Sequence, residues 1–206
     1  MGYESRDHIL EAAFELFFAG TFHSVGMKAI CDKAKVHKET VYHFFPTKND
    51  LLLCALGNFT DRIVLQFEDL ASSNLPPAEK LKKLYEQFRW NCEQYSLENG
   101  FAPGCFIGNI STELSSTEPS VRAKAQWAID RISKVLQPTV EALLVEYGLG
   151  SADSWKATQV FMGLIQGSQV MAKLRNDVRV FDEFAPTVVD LVLSAGRADI
   201  AKQVIV

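Results

Sequence analysis

The sequence predicts an all-α protein, with a small N-terminal domain of three helices ahead of a larger helical domain. Three observations point there. Apolar residues recur at spacings of three and four through most of the chain, the period of a helix with one buried face. No run alternates apolar and polar residues as a half-buried strand would. The stretch 29–53 packs two short helices, a tight turn and a third helix start into a short span.

In that stretch Ile30, Ala34, Val36, Val41 and Phe45 are spaced so that two steeply crossing helices share one small apolar contact, as in a helix-turn-helix. The second helix, expected over 38–44, turns Val41, Phe44 and Phe45 inward and leaves Lys38, Glu39, Thr40, Tyr42 and His43 facing out. A helix lying in the major groove needs donors and acceptors for base edges, and flanking groups that grip phosphates. Lys38, Thr40 and His43 suit the first task, Tyr42 and Lys48 the second. Pro46 forces Phe45 out of helical geometry, and Thr47 is placed to cap the next helix through the amide of Asn49 or Asp50. Lys48 then falls in a first turn, where positive charge opposes the helix dipole; a phosphate neighbour would offset that cost.

Residues 6–48 resemble the DNA-binding domain of TetR-family transcriptional repressors. The resemblance rests on a first helix at 6–19, the Gly20-Thr21-Phe22 turn, a support helix around 27–35, and the set Val41-Tyr42-His43-Phe44-Phe45 with Lys48. It implies DNA contacts at Lys28, Lys38, Glu39, Thr40, Tyr42, His43 and Lys48. It also implies a homodimer on a palindromic operator in double-stranded DNA, with 1–48 as the helix-turn-helix DNA-binding domain and 49–206 as a helical effector-binding and dimerisation domain. Gly26 departs from the pattern, since many members carry Thr or Ser there; a hydroxyl contact to the phosphate backbone is missing. A plain solvated helix pair would have no need for the Tyr-His pair beside the apolar seam.

Beyond this domain the chain reads as helix. The linking helix runs over 51–70, and Ala71-Ser72-Ser73-Asn74-Leu75-Pro76-Pro77 is the clearest break. Leu81, Leu84, Tyr85, Phe88, Cys92 and Tyr95 then mark one face of an amphipathic helix. Glu98-Asn99-Gly100 makes a bend, and Pro103-Gly104 precedes a new helix. Val121, Ala125, Ala128, Ile129, Ile132, Val135 and Leu136 form a long stripe, with a kink expected at Pro138 before Val140, Leu143, Leu144 and Tyr147. Residues 148–151 end it.

The last two predicted helices form an association surface. In 155–174, Val160, Gly163, Leu164, Gly167 and Met171 share a stripe, and the two glycines admit a second helix closely. In 183–195 the corresponding residues are Phe184, Val188, Leu191, Val192 and Ala195. Two such helices from each of two chains make a four-helix bundle, whose two-fold axis would set two recognition helices about 34 Å apart. A single short DNA-binding domain binds too weakly to regulate.

The segment Pro103-Gly104-Cys105-Phe106-Ile107-Gly108-Asn109 resembles the Gly-Cys-x-x-Gly-Asn motif of a TetR subgroup that responds to reactive electrophiles, oxidants or small unsaturated acids. At the N-terminus of a helix, Cys105 would meet free amides and a dipole that favour thiolate. Asn109 offers a donor and an acceptor, and Tyr85, Phe88, Phe101, Phe106 and Trp127 are the expected aromatic lining. That composition suits a small, partly apolar effector with a polar handle. The other reading makes Cys105 a structural core residue.

Charge and motif content narrow the classes. The net charge of -4 is uneven: residues 23–49 hold five lysines against Asp32 and Glu39, a local balance of +3, five minus two. That leaves one modestly basic face for phosphates on an otherwise acidic chain. No apolar run spans a bilayer and no secretory signal opens the chain, so a cytoplasmic protein with no membrane partner is expected. Arg6 stands where a myristoylation motif at Gly2 wants Ser or Thr. The four cysteines are too few and too dispersed for a disulfide scaffold or a zinc site. All four histidines lie within the first 43 residues without metal-ligand spacing, so no metal or cofactor is expected. A catalytic thiol at Cys105 would lack a histidine base, and no phosphate-binding loop or nucleophile elbow occurs, so the chain is read as no enzyme. The competing class is a helical ligand-binding or adaptor protein without operator specificity.

Overall fold

The computed structural model describes residues 2–151 and 153–197. Its elements are α1 (Gly2–Ala19), α2 (Met27–Ala34), α3 (Lys38–Phe44), α4 (Lys48–Ala71), α5 (Pro77–Asn99), α6 (Phe106–Leu114), α7 (Pro119–Glu146), α8 (Ser154–Arg175), α9 (Val180–Phe184) and α10 (Val188–Arg197). The all-α expectation holds: no strand occurs among the described residues.

Two compact units emerge, and they do not follow chain order. The first is Met1–Arg62 with Phe106–Ile129; the second is Ile63–Cys105 with Asp130–Val206. Helices α4 and α7 run unbroken through this division.

In the first unit α1, α2 and α3 touch one another. Ile30, Ala34, Val41 and Phe45, which the apolar spacing selects, are buried together with Ile9, Leu10, Ala13 and Phe17 of α1, whereas Val36 is half-buried. Thr47 caps α4 as expected: its hydroxyl accepts the Asp50 amide at 3.0 Å while the Asp50 carboxylate accepts the Thr47 amide at 3.0 Å. A second aromatic core gathers Phe14 and Phe18 of α1, Phe59 of α4 and Phe106 of α6, with ring centroids 5.0 to 5.9 Å from Phe106. Edge-to-face pairs of this kind add roughly 0.5–1.5 kcal/mol each beyond the area they bury. They fix α6 to α1.

In the second unit α8 packs on α10, α9 and α5. Tyr85 and Phe181 lie 5.5 Å apart, Phe67 and Phe88 5.6 Å. Gly196 on α10 meets the Leu144 side chain so closely that a Cβ there would force it to shift. Asn176 ends α8 in the left-handed region (φ 49°), and its side-chain oxygen accepts the Ala102 amide at 2.8 Å, tying down the α5–α6 connection.

One expectation about the helices changes. The helix expected over 183–195 is broken: α9 stops at Phe184, a 3-10 turn covers Ala185–Thr187, and α10 starts at Val188. Pro186, without an N–H and with a ring that clashes with the preceding turn, accounts for the break. Pro138 sits inside α7, between the two apolar stretches that the sequence joins there.

Candidate nucleic-acid interface

Helix α3 is only seven residues long, and its inner side is anchored by Val41, which is 0% exposed. Lys38, Glu39, Tyr42 and His43 are exposed, and Thr40 is half-buried. The Lys38 ammonium lies 5.5 Å from the Tyr42 ring, one turn along, which holds both outward. Lys28 is exposed on α2. Gly26 precedes α2 in extended geometry with no side-chain cap, and a Cβ there would meet nothing within 4 Å. Lys33 pairs with Glu15, which removes it from the outward-facing charge.

Lys48 also has neighbours within the unit. It is half-buried, its ammonium donates to the Phe22 carbonyl, and it lies 4.3 Å from the centroid of the Phe22 ring. Burial lowers its pKa and the charge of Glu113 raises it. A phosphate would have to compete with the Phe22 carbonyl for this cation. Lys48 thus braces the turn between α1 and α2 in this structure.

Glu113 itself is a residue that sequence reasoning missed. Its carboxylate accepts the Phe22 amide at 2.8 Å and the His23 amide at 3.0 Å. Nothing local announces a partner some ninety positions away in the chain.

The expected effector residues divide between the units. Phe106, in the first, is wholly buried in the aromatic core and is corrected from cavity lining to packing. Trp127, also in the first, is 40% exposed with the Lys124 ammonium 3.5 Å from its ring, an outward position that lines no interior. Asn109 is half-buried. In the second unit Phe88 packs edge-on to Phe67, and Phe101 lies 5.6 Å from Tyr95.

Cys105 directly precedes α6, as expected, after Gly104 at φ 77°, a conformation that favours glycine. It is buried, and the Gln166 amide donates to its sulfur at 3.3 Å. Ser168 gives its proton to the Leu164 carbonyl at 2.8 Å, so in the 2.5 Å contact between Tyr85 and Ser168 the phenol is the donor. Gln169 is 7% exposed and its side-chain oxygen has no partner. Two neighbouring residues of α8 thus meet a thiol and a phenol, Gln166 at Cys105 and Ser168 at Tyr85. Burial pushes the Cys92 thiol up to about 11, the signature of an inert packing residue. An open groove of about 610 Å³ lies in the same unit, lined by Phe67, Leu70, Leu84 and Trp90 among others, and includes none of the expected effector residues.

On the expected association face, Gly163 and Gly167 are exposed, and Val160, Leu164 and Met171 are half-buried. Val170 and Leu174 extend the same side at 58% and 76% exposure. Phe184 is half-buried and Leu191 is 40% exposed. Val188 and Val192 are corrected: at 1% and 0% exposure they fill the unit's own core and have no surface to offer a second chain.

A short helix anchored by one valine, polar on its open side and joined to a large helical region, defines a DNA-binding regulator of the helix-turn-helix class. The family model described as bacterial regulatory proteins, tetR family, matches residues 9–55, and that of the tetracyclin repressor-like C-terminal domain matches residues 77–188, more than half of the chain. The chain belongs to the tetR family of bacterial regulatory proteins and is a transcription regulator, not an enzyme. An uncharacterized HTH-type transcriptional regulator of Lactococcus lactis subsp. lactis is 22% identical over 86% of this chain and 88% of its own. The HTH-type transcriptional repressor KstR of Mycobacterium tuberculosis is 35% identical over 38% of this chain and 36% of its own. The crystal structure of reduced NemR from E. coli superposes with a TM-score of 0.77 at 21% identity, covering 91% of this chain and 97% of that one, a likeness of fold. No helix among the described residues is long and apolar enough to cross a membrane.

Proposed function

We propose that the protein is a repressor that binds a palindromic operator as a homodimer and is released by a small effector or by modification of Cys105. The observation that carries the proposal is the open side of α3, where Lys38, Glu39, Tyr42 and His43 stand exposed over a fully buried Val41. Residues 1–48 serve as the DNA-binding domain and 49–206 as the effector and dimerisation domain, working in the cytoplasm where chromosomal DNA lies. Lys38, Glu39, Thr40 and His43 read base edges, and Lys28, Tyr42 and Lys48 contact phosphates.

The name of KstR supports repression. The resemblance of the Gly-Cys-x-x-Gly-Asn segment supports an effector that reaches Cys105, and within the second unit Gln166 beside that thiol offers a hydrogen bond for a polar handle. Release is a population shift: the effector must bind the DNA-incompetent arrangement more tightly than the competent one.

The test is selection of duplexes from a random library by the wild-type protein, repeated with variants. Tyr42→Ala is expected to weaken every duplex and reduce the salt slope by about one phosphate contact, whereas Lys38→Ala and His43→Ala change the selected sequence. Identical selections and affinities for all three variants would refute the interface. Cys105→Ser is expected to bind the selected duplex yet ignore N-ethylmaleimide; release of that variant by the reagent would refute the sensor.

A further inference from the structure

We infer that Glu113, on α6, is a positioning residue for DNA binding that holds the turn between α1 and α2 in its working geometry. The inference rests on the reading of α3 as the DNA-contacting helix.

A complete account of the turn's amides leads to it. Gly20 donates to the Leu16 carbonyl at 2.9 Å, Thr21 to the Ser24 hydroxyl at 3.1 Å, Ser24 to the Thr21 hydroxyl at 3.2 Å, and Val25 to the Thr21 carbonyl at 3.2 Å. Four of the six amides from Gly20 to Val25 are thus satisfied locally. Those of Phe22 and His23 are the two left, and the two carboxylate oxygens of Glu113 take one each, at 2.8 and 3.0 Å. Charge-assisted bonds to backbone amides are among the stronger ones available to a carboxylate.

The same peptide is gripped from the other side. Lys48, at the start of α4, donates to the Phe22 carbonyl and lies against its ring, and the Phe22 ring packs 5.7 Å from Phe17. Opposite charges from α6 and α4 therefore hold one peptide of the turn, within a single compact unit. Three residues after His23 the chain reaches Gly26 and enters α2, which carries Lys28 and packs on α3. The turn sets how α2 and α3 sit on α1.

The experiment compares Glu113→Ala and Glu113→Gln with wild type on the duplex that the wild-type protein selects, and follows hydrogen exchange of the Phe22 and His23 amides. A carboxamide keeps one acceptor but faces the second amide with a donor, so Gln is expected to weaken binding several-fold and Ala at least tenfold. Both variants keep the wild-type salt slope, because no phosphate contact is removed, and both lose protection at Phe22 and His23 while Ile9 and Leu10 stay protected. Affinity within twofold of wild type, tighter binding, or undiminished protection at the two amides would overturn the inference. Should the Ala variant fail to fold, the near-isosteric Gln variant carries the test. If the wild type selects no duplex, the proposed function fails, while amide protection still tests the Glu113 contact.

Discussion

Lys35 closes α2 in the left-handed region, at φ 55° and ψ 42°, where a Cβ crowds the following carbonyl oxygen. Its side chain is exposed, so little is lost by removing it. Lys35→Gly is expected to raise stability by about 0.5–1 kcal/mol, the relief of left-handed strain less the extra freedom gained by the unfolded chain. A denaturant midpoint that stays put or falls would contradict this. At this scale the outward face of α3 was legible, because Val41 inside and Lys38, Tyr42 and His43 outside follow from helical period alone. Lys48 was legible as an unusual first-turn cation but not as a brace, since its partners Phe22 and Glu113 lie on other elements. Trp127 illustrates the opposite error: a large aromatic at helical spacing looked interior, yet Lys124 one turn back shares an exposed face with it.

Helix α8 has two working sides. One buries Ala157, Phe161, Ile165 and Ala172 in the second unit. The other leaves Gly163 and Gly167 open, with no atom within 4 Å of a Cβ built on either. Gly167→Leu should therefore leave the folded chain intact, and helix propensity favours it by roughly 1 kcal/mol. On the proposed dimer the same side chain would hold the facing helix away. Sedimentation equilibrium is expected to show a folded monomer for this variant; a dimer as tight as wild type would remove α8 from the interface. The stripe on α8 was readable because polar and apolar residues alternate at helical period. The equivalent stripe near the end of the chain was readable only as apolar, and Val188 and Val192 turned out to serve the internal core while Leu191 remains outside. Pro186 was the available signal for the break before α10.

At the scale of the molecule, helix content and order were legible and the grouping of helices was not. Periodicity tells which face of a helix is buried but not which neighbour buries it, so the return of α6 and the first part of α7 to the N-terminal helices leaves no trace in sequence spacing. The family resemblance draws a boundary at residue 48, whereas compactness carries the first unit on to Arg62 and brings in Phe106–Ile129. That difference is physically useful: it brings Glu113, near the end of α6, to the turn that precedes α2. The local charge survives in part, for Lys28, Lys35 and Lys38 stay exposed while Lys33 and Lys48 are engaged within the unit.

The central claim is that the exposed face of α3 meets DNA twice in one assembly. Sedimentation of the protein with its selected duplex, repeated across a salt series, measures this most directly. The account predicts two chains on each duplex and an affinity that falls steeply as salt rises, with a log–log slope set by the phosphates contacted. One chain per duplex, or an affinity indifferent to salt, would contradict it.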